Sequence, residues 1–93
     1  MYVETVTIAS AGTAQQATSV PVPDGAEVVY MGHPDNTGSI KVSDTAAKAQ
    51  AAIGDGNVPI LANMSIVYQV EDPSIPYIDA TVSGEKVIIT FEF

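Results

Sequence analysis

The chain has 93 residues, which is enough for one domain with one hydrophobic core. Eleven acidic residues stand against three Lys and no Arg, and the resulting net charge of -8 disfavours binding to nucleic acids, whose phosphates are held mainly by Lys and Arg. The absence of Cys excludes disulfides and thiolate metal sites. No segment has the ~20 apolar residues of a membrane span, so we expect a soluble protein made in the cytoplasm.

Strand patterns fill the N-terminal part of the chain. The sequence "YVETVTI" (2–8) predicts a first strand, because apolar and polar residues alternate along it. The turn "PDG" (23–25) precedes "AEVVYM" (26–31), which predicts a second strand.

The stretch "NTGSIKVSDT" (36–45) predicts a tight corner between two sheets, followed by a short strand that carries Ile40 and Val42. Asn36 is expected to stabilise the corner, and Gly38 is expected to supply backbone freedom. Both are therefore interpreted as fold residues first, with Thr37 between them.

An Ala-rich insertion, about 44–57, interrupts the strand pattern. Ser43 or Asp44 is an N-cap candidate and Gly54 a C-terminal stop, which together predict a helix of about nine residues. A helix this short must dock on the sheet or on a neighbour, and a disordered loop is the competing interpretation because Ala and Gly bury little area. The residues expected to dock are Ala46, Ala49 and Ile53.

The C-terminal third predicts three further strands. "MSIVYQV" (64–70) alternates, with Met64, Ile66, Tyr68 and Val70 on one face, and prolines end it. Segments 77–82 and 85–93 flank Ser83 and Gly84, which predicts a β-hairpin. The last segment is expected to be a central core strand because four apolar residues share one face, namely Val87, Ile89, Phe91 and Phe93.

Strands that recur about every eight to twelve residues are typical of a sandwich or barrel. The fold class predicted for residues 1–93 is therefore all-β: a single antiparallel β-sandwich domain, jelly-roll-like, with one short helix or loop insertion.

No catalytic, metal-binding or cofactor-binding constellation stands out. His33 has one carboxylate near it, Asp35, which falls short of a triad or a closed metal site. The carboxylates at 55 and 71–72 lack the calcium-loop spacing, although a glycosidase-type pair stays open because its separation is three-dimensional. We therefore expect no enzyme, no metal and no cofactor. The tyrosines at 30, 68 and 77 are expected to cover sheet faces or to form a binding platform.

Over roughly residues 20 to 93 the chain resembles the small β-sandwich virion proteins of tailed bacteriophages, which include capsid decoration or cement proteins and related head or tail accessory domains. An N-T-G turn leads into a short strand, an L-x-x-x-S pattern begins another strand, an acidic turn follows, and "YIDATVSG" precedes the last strand. The matching positions are Asn36, Thr37, Gly38, Ile40, Val42, Leu61, Ser65, Asp72 and Tyr77 through Gly84.

The resemblance implies a decoration protein on the outer surface of the virion head, made in the host cytoplasm and commonly trimeric, with the major capsid protein as its partner. From the net charge and the lack of an apolar span, we expect neither nucleic acid nor membrane as a partner. The Ala-rich insertion is longer than the resemblance leads one to expect, so it is a candidate partner contact through Ala46, Ala47, Ala49 and Ile53. The alternative is a receptor- or carbohydrate-binding module of a tail or head fibre.

Overall fold

Two antiparallel sheets face each other in the computed structural model, which describes residues 1–93. Seven strands and one short helix follow in chain order: β1 Tyr2–Thr7, β2 Val28–Gly32, β3 Ile40–Ser43, α1 Ala46–Gln50, β4 Val58–Ile60, β5 Ser65–Tyr68, β6 Tyr77–Ala80 and β7 Lys86–Phe91. One sheet has four strands in the order β1-β7-β2-β5, and the other has three in the order β4-β3-β6. The predicted antiparallel β-sandwich is confirmed.

The strand order is that of a jelly roll in which the strand expected between β1 and β2 is reduced to a single bridge. An eight-stranded jelly roll consists of two four-stranded sheets connected as Greek keys. Here the three-stranded sheet gains its fourth member at Gln15, which lies in the long connection between β1 and β2 and forms an isolated antiparallel bridge with Ile78 of β6. Both backbone bonds of that bridge are short, 2.7 and 2.8 Å. The long connection thus takes the place of a strand.

The core lies between the sheets and is formed by alternate residues of the strands. β7 shows the pattern most clearly, because Val87, Ile89 and Phe91 are buried while the residues between them are half-buried. Tyr30 is fully buried, and its hydroxyl donates a hydrogen bond of 2.9 Å to the carbonyl of Pro73. Burial raises the pKa of Tyr30 above its ordinary value. As predicted, β7 is a central strand, with β1 and β2 on its two sides.

The prediction of a hairpin around Ser83 and Gly84 is wrong. β6 belongs to the three-stranded sheet and β7 to the four-stranded sheet, so the segment between them crosses from one sheet to the other. β7 cannot pair with β6 because β1 and β2 already occupy both of its edges. The turn itself is present, and Gly84 has a φ of 87°, a conformation that glycine adopts at little cost. Phe93, expected in the core, lies beyond β7 and is 78% exposed.

The helix is shorter than predicted, with five residues from Ala46 to Gln50. Its N-cap is Thr45, not Ser43 or Asp44, since the Thr45 hydroxyl accepts the Lys48 N–H at 3.2 Å. It ends before Gly54, because the next residue already has extended backbone. The side-chain amide of Asn57 then donates to three carbonyls, those of Lys48, Ala51 and Ala52, and so fixes the remainder of the insertion in turns.

Candidate interaction surface

The outer face of the four-stranded sheet carries no charge across its two middle rows. One row runs across the strands as Val3, Thr90, Val29 and Val67, and the next as Thr5, Ile88, Met31 and Ser65. We call these eight residues the uncharged face. Their side chains point away from the core, because the residues that alternate with them, such as Val6, Tyr30 and Ile89, are buried between the sheets.

No helix or strand packs over the uncharged face. α1 packs against β3 and β6, which belong to the other sheet. The two edge positions of the first row are open to solvent, with Val3 57% and Val67 52% exposed, while Val29 and Thr90 between them are half-buried by their neighbours. The result is an uncharged, mostly β-branched surface that is partly open to solvent.

On this outer side of the sheet, charged residues lie only at the two ends of the face. Glu27 and Glu92 stand two residues beyond Val29 and Thr90, and Lys86 stands two residues before Ile88. None of the eleven acidic residues of the chain occupies the uncharged face. In a chain of net charge -8, covering this face would desolvate no charged side chain of the face itself.

The N-T-G corner is fixed by β7 and by Glu85. The side chain of Asn36 pairs with the backbone of Lys86, donating to its carbonyl at 2.7 Å and accepting its N–H at 2.9 Å. The buried Glu85 carboxylate accepts the N–H groups of Thr37 and Gly38. These residues therefore connect the two sheets.

Gly38 is needed for space and not, as expected, for backbone freedom. Its φ is not positive. A Cβ at this position would overlap the hydroxyl of Thr81 and would lie 3.0 Å from Glu85 Oε1.

The insertion covers the outer face of the three-stranded sheet, and only part of it can reach a partner. Ala49 is fully buried and Ala46 half-buried against β3 and β6. Ala47 is exposed. Ile53 is 53% exposed, so it does not dock on the sheet, and its docking on a neighbour stays a prediction. Of the four predicted contact residues, Ala47 and Ile53 remain available.

Beneath the insertion lies a buried ion pair that the sequence did not single out. Lys41 and Asp79 are direct cross-strand partners, and their Nζ and Oδ2 atoms are 3.6 Å apart. Lys41 Nζ also donates to the Ala51 carbonyl at 2.9 Å, while Asp79 Oδ1 accepts the Gly12 N–H at 3.0 Å. The pair therefore fixes both the insertion and the long β1–β2 connection against the sheet.

Of the candidates for chemistry, His33 and Asp35 approach each other, with Nδ1 and Oδ2 3.8 Å apart. His33 Nδ1 accepts the backbone N–H of Asp35 at 3.1 Å, and the two side chains lie in one local turn. No group of three or more His, Cys, Asp or Glu side chains could hold a metal ion. The carboxylate of Asp72 is bound by the Ser19 hydroxyl at 2.6 Å and by the Ser74 N–H at 2.9 Å, and these bonds lower its pKa to about 2.

The three tyrosines do not form a platform. Tyr30 is fully buried, and Tyr68 packs edge-on against it with ring centroids 5.4 Å apart. Tyr77 lies on β6 in the other sheet, half-buried. Of the two interpretations of these tyrosines, a shared binding platform is therefore wrong.

One shallow pocket is present between residues 22–26 and 69–71, with a volume of about 180 Å³. Ligand sites usually have volumes of about 300–1,000 Å³. No helix in the structure has the length and apolar character needed to cross a bilayer.

The uncharged face can be recognised only in part from the sequence. In β1, β2, β5 and β7 the side of the strand opposite the core is also free of charge in the middle of the strand. Residues on neighbouring strands form one surface only once the strand order is known. Comparisons with protein-family models, with curated proteins and with solved structures found no match for this chain.

Proposed function

We propose that this chain is a bacteriophage virion structural protein, a capsid decoration or cement protein that binds the outer surface of the head and stabilises it. The observation that carries the proposal is the uncharged face, two rows of mostly β-branched residues on a domain of net charge -8. The resemblance of residues 20 to 93 to small virion β-sandwiches gives the partner, the major capsid protein. The role is structural and requires no catalysis or cofactor.

The proposed mechanism is burial of the uncharged face against the shell. Val3, Val29 and Val67 would lose water to apolar capsid surface, at about 25 cal/mol for each Å² of apolar area removed from water. The acidic ends of the face, at Glu27 and Glu92, would meet polar or basic groups at the rim of the contact. Repetition over the shell adds avidity, because one protein that contacts two capsomers links them.

The remaining charge has a role in this proposal as well. With the uncharged face against the shell, the other surfaces of the domain face solvent and carry most of the eleven carboxylates. A negative outer surface keeps virions from associating and does not attract nucleic acid. The acidic residues outside the uncharged face therefore suit a protein that coats a particle.

The experiment uses heads purified from virions in which the gene has been deleted. Wild-type protein is added back and its co-sedimentation with the heads is measured. Thr90→Glu places a carboxylate in the middle of the uncharged face, and Ala47→Glu places one on the exposed side of α1 as a matched control.

We expect wild type and Ala47→Glu to bind equally and Thr90→Glu to bind at least about tenfold more weakly, since a desolvated charge without a partner costs more than 1.4 kcal/mol. If only Ala47→Glu lost binding, the insertion and not the uncharged face would be the contact surface. Heads that take up no wild-type protein would overturn the proposal.

A further inference from the structure

The outer edge of β1 is unpaired. β1 is the last strand of the four-stranded sheet and pairs only with β7. Antiparallel strands exchange hydrogen bonds at every second residue. The Ile8 N–H donates to the Glu85 carbonyl at 2.8 Å, so the even-numbered residues of β1 bond to β7. The N–H and C=O groups of Val3, Thr5 and Thr7 therefore point outward, and all three residues are exposed.

The other edges of the sandwich are shorter or blocked. β4 has three residues with Pro59 in the middle, which cannot donate to an added strand. The free side of β6 is occupied by Gln15, which exchanges both hydrogen bonds with Ile78. β5 has only four residues. β1 has six residues and carries neither Pro nor Lys nor a bulge, the features with which natural sheets protect an edge.

The only charged side chain of β1 does not oppose an added strand. Glu4 points to the inner side of the sheet, where its carboxylate accepts the Thr18 hydroxyl at 2.7 Å and the Tyr2 hydroxyl at 3.0 Å. The side chains of Val3, Thr5 and Thr7 are uncharged and β-branched. A second copy can thus approach this edge without placing carboxylates opposite one another, despite its net charge of -8.

We infer that β1 pairs antiparallel with β1 of a second copy of this chain about a twofold axis. The register that joins the outward groups is centred on Thr5, with Thr5 opposite Thr5 of the second copy and Val3 opposite Thr7 of the second copy. Each of these cross-strand pairs joins β-branched residues, which are favourable partners in antiparallel sheets. The edge is self-complementary, as a twofold contact requires.

The pairing has two consequences for the assembly. The two four-stranded sheets become one eight-stranded sheet, and the uncharged faces of both copies join across Val3 and Thr5 into one surface. The contact also closes at two copies, because both β1 edges are then used, and so it gives a dimer instead of the trimer that the resemblance implies. It is a property of the protein alone and does not depend on binding to a capsid.

The test is sedimentation velocity of the purified protein from ~1 µM to ~1 mM, a range that covers weak and moderate affinities. We expect a dimer of twice the 9.6 kDa chain mass. Thr5→Lys introduces an edge lysine on β1, and Ser65→Lys introduces the same charge in the same row at the opposite edge, on β5. Thr5→Lys should be monomeric at concentrations where Ser65→Lys is dimeric.

Hydrogen exchange of the wild-type protein keeps the inference testable should Thr5→Lys unfold. The amides of Val3, Thr5 and Thr7 should exchange slowly at high concentration and rapidly on dilution, whereas Glu4 and Val6, bonded to β7, should be protected at both concentrations. A monomer throughout, a trimer, or a dimer whose Val3, Thr5 and Thr7 amides exchange rapidly would overturn the inference. A negative result here leaves capsid binding to be decided by the co-sedimentation experiment.

Discussion

Lys41 and Asp79 face each other across β3 and β6, with Nζ and Oδ2 3.6 Å apart and side chains only 9% and 0% exposed. Asp79 Oδ2 accepts no hydrogen bond, so the charge of Lys41 is its main compensation. The insertion shields both groups from water. The burial of the ion pair thus depends on the Ala-rich insertion.

Removal of one member of this pair should destabilise the protein strongly. Lys41→Met leaves the Asp79 carboxylate buried without a cation, which costs about 3–5 kcal/mol. Lys41→Met with Asp79→Asn removes both charges and keeps an acceptor for the Gly12 N–H, so most of the loss should be recovered. Urea unfolding of wild type, both single variants and the double variant measures the coupling. Additive effects would show that the charges do not interact.

Glu85 should be a major contributor to the stability of the N-T-G corner. Its carboxylate accepts the N–H groups of Thr37 and Gly38 from inside the protein. Glu85→Ala leaves those donors without their partner, and we expect a loss of about 1.5–3 kcal/mol in the free energy of unfolding. Glu92→Ala removes a carboxylate from the exposed end of β7 and is the matched control. Equal, small effects of the two substitutions would show that Glu85 does not stabilise the N-T-G corner.

Gly38→Ala tests whether the corner needs space. The added Cβ would overlap the Thr81 hydroxyl and crowd Glu85 Oε1, so we expect a destabilisation of about 1–3 kcal/mol, typical of overpacking. Thr81→Ala removes one of the obstructing groups, and the double variant should therefore lose less than the sum of the single variants. Thermal unfolding followed by circular dichroism gives both values. A Gly38→Ala variant as stable as wild type would refute the steric explanation.

Asp72 should make the fold less stable in acid. The Ser19 hydroxyl and Ser74 N–H lower the pKa of its carboxyl to about 2, below the ordinary value of about 3.9 in an unfolded chain. Its contribution is complete above about pH 4 and is lost as the pH falls towards 2, because the unfolded chain takes up the proton first.

The measurement is an NMR titration of Asp72 in wild type and Ser19→Ala, together with unfolding curves between pH 2 and pH 6. The substitution should raise the pKa of Asp72 and flatten the pH dependence of stability. Ser83→Ala, which removes a hydroxyl that accepts only the Ala11 N–H, is the control. An unchanged titration in Ser19→Ala would show that the hydroxyl is not the cause.

Local patterns predicted most of the fold. Val87, Ile89 and Phe91 alternate with less buried residues in a way that only a strand with one core face explains, and the structure confirms this strand as central. Alternation does not specify the neighbour, however. The segments on either side of Ser83 and Gly84 have the same pattern whether they pair or cross between sheets, and β7 takes β1 and β2 as neighbours from distant parts of the chain.

The uncharged face could not be predicted from the sequence, because alternation does not specify which strands are neighbours. Val3, Val29 and Val67 become neighbours only through the strand order, which non-local pairing decides. The insertion was easier to locate than to interpret. Its composition indicated a helix, but whether Ile53 docks or stays exposed depends on the turns fixed by Asn57.

The most direct test of the proposed function is immunogold electron microscopy of the virions that carry this gene, with antibodies raised against the purified chain. We predict gold particles distributed over the outer surface of the head, and none on virions from which the gene has been deleted. Labels confined to the tail or to fibres would support a receptor- or carbohydrate-binding module instead. Virions without any label above the deletion control would contradict a structural role in the particle.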